Sequence, residues 1–472
     1  MTRRAARPDE EASTTDPRAE RPGSDPEPRT SGGLRAHNRV RLLRAVHDTG
    51  ARRTRSQLTR TLALSRGTVS VLVAGLAEDA LLDETPTQEH TRGRPTGIPG
   101  PHPYGPLALA VDLREDSWDL AVCELGGSAT IVRSRTHDGT PEGALLPLAA
   151  AVRERLGPRT VGVGVSVAGP VRAGGVIDIP HLDWWDVDVA AHMRLGDVPL
   201  HIANDARLAG LAEARRGRLH GVRLGVHLHV AFDLGGALVV DGRPLSGASG
   251  TTGEYGHMPL GGGRARCRCG ARGCWGMAVG GNALLRHLGL AAGGGRGWDV
   301  AEGILREAAE AAGRPAAEAA GKPADAGTDA RTGSGADSRT GSGTPPALDP
   351  AAALAAVRAS AHAFGSGIGA LVNGLDPDAV TLSGLGVELH SLAGDTLHAA
   401  CQDSLMAFRR SRPVRVLPSS LGRRGPLTGA MEAVFDGFLT TEGLGIWQRP
   451  PESATASDSS ARPGRPATPA SY

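Results

Sequence analysis

Three cysteines fall within eight residues in the run Cys267-Arg-Cys269-Gly-Ala-Arg-Gly-Cys274, and His257 lies ten residues earlier. Three thiolates and one imidazole suit tetrahedral zinc, with sulfur at ~2.3 Å and nitrogen at ~2.1 Å from the metal. Gly270 and Gly273 permit the tight folding that convergent ligands require. Four protein ligands leave no open position for a catalytic water, so the zinc expected here is structural. A redox dithiol is a weaker reading, because a single residue separates Cys267 from Cys269. Cys123 and Cys401 stand apart and read as buried core residues.

A second set of residues suits nucleic acid. Formal net charge over the 472 residues is only +2, yet residues 31–100 hold eleven arginines against six acids. Local clustering of this kind, and not the whole-chain balance, is the electrostatic footprint of a DNA reader. Within it, Arg55 opens one helical pattern and Ser65 opens the next as an N-cap, with a tight turn between them. Ser65, Arg66, Thr68 and Ser70 would occupy the outer N-terminal face of the second helix, where short polar and cationic side chains reach phosphates and base edges. Arg92-Gly-Arg94-Pro95 reads as the basic part of a wing, its arginines suited to a minor groove or to phosphate. A small helical bundle whose arginines only solvate one face would share this periodicity; charge, turn position and wing together favour DNA.

These residues need elements to hold them. Residues 1–33 are polar and proline-rich and are expected to form a disordered arm. Apolar residues then recur at helical spacing (Val40, Leu42, Leu43, Val46; Leu58, Leu62, Leu64; Val69, Leu72, Val73, Leu76), which predicts three short helices. With the wing they make a winged helix-turn-helix over 34–100, and a linker runs to 106. A large α/β region is expected over 107–440, with strands at Leu107–Leu113, Thr160–Val167, Leu224–Phe232 and Ala379–Leu382. Residues 313–347 are low in complexity and read as a disordered insertion, and 449–472 as a disordered tail. Aromatics make up only 3%, so Ala, Val and Leu must build the core. The scarcity of lysine (Lys322 alone) fits GC-rich coding before any binding role. No run approaches the ~20 apolar residues of a membrane span, and the N-terminus has no apolar signal core, so a cytoplasmic protein without a membrane partner is expected.

Several motifs, in order and spacing, resemble the ROK family: Val163-Gly-Val-Ser-Val-Ala-Gly169-Pro170, Asn204-Asp205-Ala-Arg-Leu-Ala-Gly-Leu-Ala-Glu213, Gly253-Glu254-Tyr-Gly256-His257, the cysteine cluster, and Leu371-Val-Asn373-Gly-Leu-Asp-Pro377. With the helix-turn-helix ahead of them, they are similar to the regulator branch, which includes xylose- and N-acetylglucosamine-responsive repressors. The resemblance implies a two-lobed, actin-like (ribonuclease-H-like) sugar-kinase fold with a structural zinc site. It also implies a cleft in which Asn204, Asp205, Glu254 and His257 contact a sugar and Gly169 lines the wall. His257 would serve zinc and sugar together.

The chain departs from the kinase pattern at both phosphate loops. Where the family has Asp-x-Gly-Gly-Thr it reads Asp112-Leu-Arg114-Glu115-Asp116-Ser117, and where the family has Gly-Thr-Gly it reads Ala231-Phe232-Asp233. Glu115, Asp116 and Asp233 would repel a polyphosphate, so no catalytic residue is expected and Asp205, at the family's catalytic-base position, reads as vestigial. Gly276 stands where the family has a further sugar-contacting acid. The expectation is a kinase-inactive, sugar-responsive repressor. Its partners would be a double-stranded DNA operator of palindromic form, a sugar or sugar phosphate, and a second copy of the chain as a homodimer or dimer of dimers. The alternatives are a bifunctional sugar kinase, and a ligand-independent regulator that uses the kinase-like domain for dimerisation.

Overall fold

The structure is a computed structural model that describes residues 30–86, 97–172, 174–260, 266–290, 298–313 and 348–447. Most of the expected arm, Arg92 and Arg94 of the expected wing, the insertion after 313 and the tail over 449–472 lie outside the described residues.

Polar caps set where the first three helices begin. The Gly33 N–H donates to Thr30 Oγ1 at 3.1 Å, so α1 (Ser31–Asp48) starts three residues before the expected Leu34 and, at 18 residues, is not short. A reciprocal pair starts α2 (Arg55–Leu62): Gln57 N–H on Thr54 Oγ1 at 3.3 Å and Thr54 N–H on Gln57 Oε1 at 2.9 Å. Ser65 Oγ accepts from Thr68 N–H at 3.0 Å to start α3 (Arg66–Glu78). Each bond satisfies an N–H that a helix start leaves open. Between α2 and α3 the chain reverses through Ala63, at a left-handed φ of 52°. After α3, β1 (Leu82–Pro86) pairs antiparallel with β2 (Gly97–Pro101).

Two five-stranded sheets follow, built on one plan. In the first, β3 (Leu107–Leu113), β4 (Ser117–Glu124) and β5 (Ala129–Thr136) form an antiparallel meander, and β6 (Thr160–Val167) joins β3 in parallel beyond α4 (Pro141–Arg153). A small sheet of β7 (Val171–Arg172), β8 (Val176–Ile179) and β9 (Trp184–Asp188), then α5 (Val189–Met193), lead to β10 (Leu200–Asn204), which closes the order β10-β6-β3-β4-β5. Helix α6 (Asp205–Arg216) connects to the second sheet, where β11 (Leu224–Val230), β12 (Leu234–Val240) and β13 (Arg243–Pro244) repeat the meander. After α7 (Gly281–His287), α8 (Trp298–Ala311) and α9 (Pro350–Leu375), β14 (Ala379–Gly384) lies parallel to β11. Then α10 (Leu385–Ser404) and α11 (Ala407–Arg410) lead to β15 (Arg415–Pro418), giving the order β13-β12-β11-β14-β15. Helices α12 (Gly425–Phe438) and α13 (Thr441–Ile446) return to the first sheet.

Glycines permit the return. A Cβ on Gly164 of β6 would overlap the Ala430 carbonyl, and one on Gly429 would overlap that of Leu208, so α12 rests directly on β6 and α6. One apolar cluster unites Leu42, Leu43 and Val46 of α1, Leu72 and Leu76 of α3, Ala108 and Ala110 of β3, and Met431 and Phe435 of α12. The N-terminal helices therefore share a core with the α/β body, and burial of these side chains at ~25 cal/mol per Å² couples the two. Cys123 and Cys401 are buried, as expected. Among the described residues no helix is long and apolar enough to cross a membrane.

Candidate functional site

A cleft of about 300 Å³ opens between the two sheets, and Gly169, Asn204, Asp205, Glu254 and His257 all line it. The β10–α6 junction positions two of them. Asn204 is the N-cap of α6, its Oδ1 accepting from Arg207 N–H at 3.1 Å, while its Nδ2 donates to the Gly169 carbonyl at 3.2 Å. Asp205 is the first residue of α6, and its Oδ1 accepts from Ala206 N–H at 2.6 Å. Burial, and then the charges of Glu115, Asp112 and Glu254, raise the Asp205 carboxyl well above the ordinary carboxylate range. Glu254 is raised by burial, against the opposing pull of His257.

The cysteine loop forms one wall of this cleft. Cys267 Sγ lies 3.9 Å from His257 Nδ1 and Cys269 Sγ 3.7 Å from Cys274 Sγ, and the four donor atoms lie within 4.8 Å of one another. Such spacing fits a single tetrahedral metal ion among them. His257 Nε2 points the other way, 3.8 Å from Glu254 Oε2, so one imidazole faces both the cysteines and the cleft carboxylate. Trp275, fully buried, donates from Nε1 to the Ala363 carbonyl at 2.8 Å and packs on Phe364, which anchors the loop to α9. At the neighbouring Gly276 an added Cβ would meet nothing closer than the Gly256 carbonyl oxygen at 3.4 Å, so the backbone does not demand glycine there.

Glu115 and Asp233 also line the wall of the cleft. Asp116 does not join them; its Oδ1 accepts from the Ser117 hydroxyl at 2.7 Å. Asp112 and Asp119 bracket Arg114 at 2.9 Å each, which engages its guanidinium at the base of the β3–β4 turn. His181 Nε2 lies 3.6 Å from Glu115 Oε1, and although burial opposes it, that carboxylate raises the His181 pKa. Sequence reasoning did not reach His181 or His229, whose Nε2 is 3.9 Å from Asp205 Oδ2.

On the N-terminal unit, Ser65, Arg66, Thr68 and Ser70 are exposed along the first turn of α3, while Val69 turns inward. Ser65 is engaged as the cap. Arg55, expected at the DNA face, pairs its guanidinium with both Glu84 oxygens and ties α2 to β1.

Residues 109–325 match the family model described as ROK family. That stretch of the chain resembles the ROK family. A xylose repressor of Bacillus subtilis (strain 168) is 20% identical over 394 residues, which is 82% of this chain and 91% of that protein. A kanosamine kinase of Amycolatopsis mediterranei (strain S699) is 33% identical over 148 residues, 30% of this chain and 48% of that protein. Among solved structures, a ROK family transcriptional regulator, homolog of the E. coli MLC protein, superposes with a TM-score of 0.60 at 20% identity, over 86% of this chain and 98% of that one. The superposition shows the fold, and the relatives that align include both a repressor and a kinase.

In this chain the cleft and the N-terminal helices are joined by one element. Helix α6 begins at Asn204-Asp205 and ends at Arg215-Arg216. Arg216 donates to the carbonyls of His47 at 3.3 Å and Gly126 at 3.1 Å, and pairs with Glu432. Glu432 also meets His47 Nε2 at 3.1 Å, while His47 Nδ1 accepts from Gly126 N–H at 3.0 Å. Arg215 and Arg44 of α1 share Asp436. Among the described residues, α6 thus spans from the cleft to the last turn of α1.

Proposed function

We propose that this chain is a sugar-responsive transcriptional repressor that binds an operator through its N-terminal unit and is controlled by a sugar, or sugar derivative, in the ROK cleft. The observation that carries the reading is α6, whose first residues line the cleft and whose last residues grip α1. In this reading α1–α3 and the β1–β2 hairpin form a winged helix-turn-helix, with α3 entering the major groove and Arg66, Thr68 and Ser70 meeting DNA. Arg92 and Arg94 are assigned to DNA in the same reading, as cations suited to phosphate or a minor groove. A homodimer, or a dimer of dimers, presents two such units to a palindromic site. The name of the B. subtilis relative supports repression, and the length over which it aligns spans both units.

Asn204, Asp205, Glu254 and His257 bond the sugar hydroxyls, as amide, carboxylate and imidazole groups can. His257, Cys267, Cys269 and Cys274 hold zinc, which supplies a rigid cross-link fixing the loop that carries His257 into the cleft. Ligand drives the change in DNA affinity only through its different affinity for the two arrangements of the lobes. Electrophoretic shift of the chain's own promoter region, with and without a panel of aldoses, tests the whole reading. Failure to bind that DNA at moderate salt would remove its support.

A second reading, a bifunctional sugar kinase, draws on Asp205, which keeps a carboxylate where the family abstracts a hydroxyl proton. The acids Glu115 and Asp233 oppose it, because they line the cleft and stand in the two loops where the family holds phosphate. ADP release over the same aldoses decides between them. A ligand-independent regulator, suggested by Gly276, predicts no thermal shift with any of those sugars.

A further inference from the structure

Strand β11 carries two histidines on one face, His227 and His229, where its other face (Val226, Leu228, Val230) packs into the apolar core. Register with β14 sets His227 beside Thr381 and His229 beside Ser383. The four side chains form one continuous hydrogen-bonded chain. Thr381 Oγ1 meets His227 Nδ1 at 2.9 Å, His227 Nε2 meets Ser383 Oγ at 2.9 Å, and Ser383 Oγ meets His229 Nδ1 at 2.8 Å. His227, Thr381 and Ser383 are buried, and His229 reaches the wall of the cleft.

Apolar residues would fill these positions at no desolvation cost, whereas a polar chain in a core must be satisfied throughout. Its inner members are satisfied by one another, and its open end is His229 Nε2. Burial holds both imidazoles neutral, with pKa values lowered to about 3 for His227 and about 4 for His229. A serine hydroxyl donates only once, so Ser383 must accept from one imidazole and donate to the other. When the hydroxyls run toward the cleft, His229 carries its proton on Nε2 and presents a donor there. Nε2 then stands 3.9 Å from Asp205 Oδ2, too far for a direct bond. An oxygen ~2.8 Å from both atoms would subtend roughly a right angle, within reach of one hydroxyl group.

We propose that His229 is a ligand-reading residue of the cleft, which donates from Nε2 to the sugar hydroxyl that in turn donates to Asp205, with the Ser383–His227–Thr381 chain fixing its tautomer and orientation. The inference rests on the sugar reading of the cleft and adds a specificity determinant to it. A hydroxyl both accepts and donates, so the pair selects a free hydroxyl over an ether, a fluorine or a hydrogen at that one carbon.

Isothermal titration of the full-length chain with xylose, glucose, mannose and N-acetylglucosamine identifies the tightest of the four, and its monodeoxy and monofluoro analogues are then compared. His229→Ala is expected to weaken the parent sugar ~10-fold or more. One analogue, lacking the hydroxyl read by His229, should bind His229→Ala and the unaltered protein equally. Ser383→Ala, which leaves the imidazole present but unfixed, should lose several-fold, and His229→Gln should recover part of the affinity through its amide N–H. Unchanged parent affinity in a His229→Ala protein with native near-ultraviolet dichroism overturns the inference while the sugar reading stands. An equal loss for the parent and every analogue overturns it as well, since that pattern marks a structural role. If the unaltered chain binds none of the four sugars, the sugar reading and this inference fall together.

Discussion

Replacing Glu432 with glutamine should release the N-terminal helices from the α/β body without unfolding that body. The carboxylate is 1% exposed; one oxygen takes His47 Nε2 and the other the Arg216 guanidinium, itself 15% exposed. Burial alone would raise its pKa, but the His47 and Arg216 pairings outweigh burial and hold it below the usual glutamate range. The junction therefore stabilises the ionised form. Glutamine keeps the volume and one acceptor for His47, yet turns an NH₂ toward Arg216 and leaves that cation unpaired. Breaking a buried pair from one side costs about 3–5 kcal/mol, and the retained bond to His47 places the expected loss near ~3 kcal/mol. That is on the order of 100-fold in the opening equilibrium. Hydrogen exchange should show α1 amides exchanging about 100-fold faster, with β3, β6 and β11 unchanged. The pH dependence has a definite sign. A carboxyl whose folded pKa is depressed contributes stability above its unfolded pKa and loses it as pH falls through the folded value, so α1 protection should drop on acidification in the unaltered chain and lose that response in Glu432→Gln. Retained α1 protection, or an equal loss across the sheets, would refute the claim that this carboxylate holds the junction.

Other outcomes follow from the cleft and the N-terminal unit. Asp205→Asn should raise the melting temperature of the ligand-free chain at neutral pH by a few degrees while abolishing sugar binding, because the raised carboxyl destabilises the fold above its unfolded pKa; the gain should shrink as pH falls toward that value, which calorimetry at several pH values reads. Protein purified without chelator should carry about one zinc per chain, and Cys274→Ser should lower both the metal content by elemental analysis and the melting temperature. Arg66→Ala should weaken operator binding at every salt concentration and reduce the slope of log affinity against log salt by about 1, with sugar affinity unchanged. Arg55→Ala, by contrast, should act mainly on stability, since its charge is held by Glu84, and a loss of salt slope equal to that of Arg66→Ala would contradict that placement.

What could be read from the sequence was chemistry whose parts lie close along the chain. The Cys267–Cys274 cluster with His257, the Ser65 cap, and strands such as Leu107–Leu113 and Thr160–Val167 depend on neighbours a few residues away, and turn geometry, capping and apolar runs are local properties. The motif order around Asn204-Asp205 and Gly253-Glu254 pointed to a family, and with it to a cleft. Charge clustering also marked Arg55 and Arg66 alike, because composition cannot tell an arginine held by a carboxylate, as Glu84 holds Arg55, from one with no such pair among the described residues.

Tertiary structure decided the rest. His-Leu-His in β11 shows from period-two alternation that the two histidines share a face, but Thr381 and Ser383 lie over 150 residues on, and only the pairing of β11 with β14 brings them together. His47 meets Glu432 across 385 residues because glycine lets α12 settle on β6 and α6, and there the last turn of α1 comes to rest. By itself the sequence determined which residues could bind metal, sugar or DNA, since that is set by side-chain chemistry and short spacing. Which of them share a cleft, which cancel one another as ion pairs, and that one helix runs from the cleft to the N-terminal unit depend on long-range packing, whose partners no local pattern names.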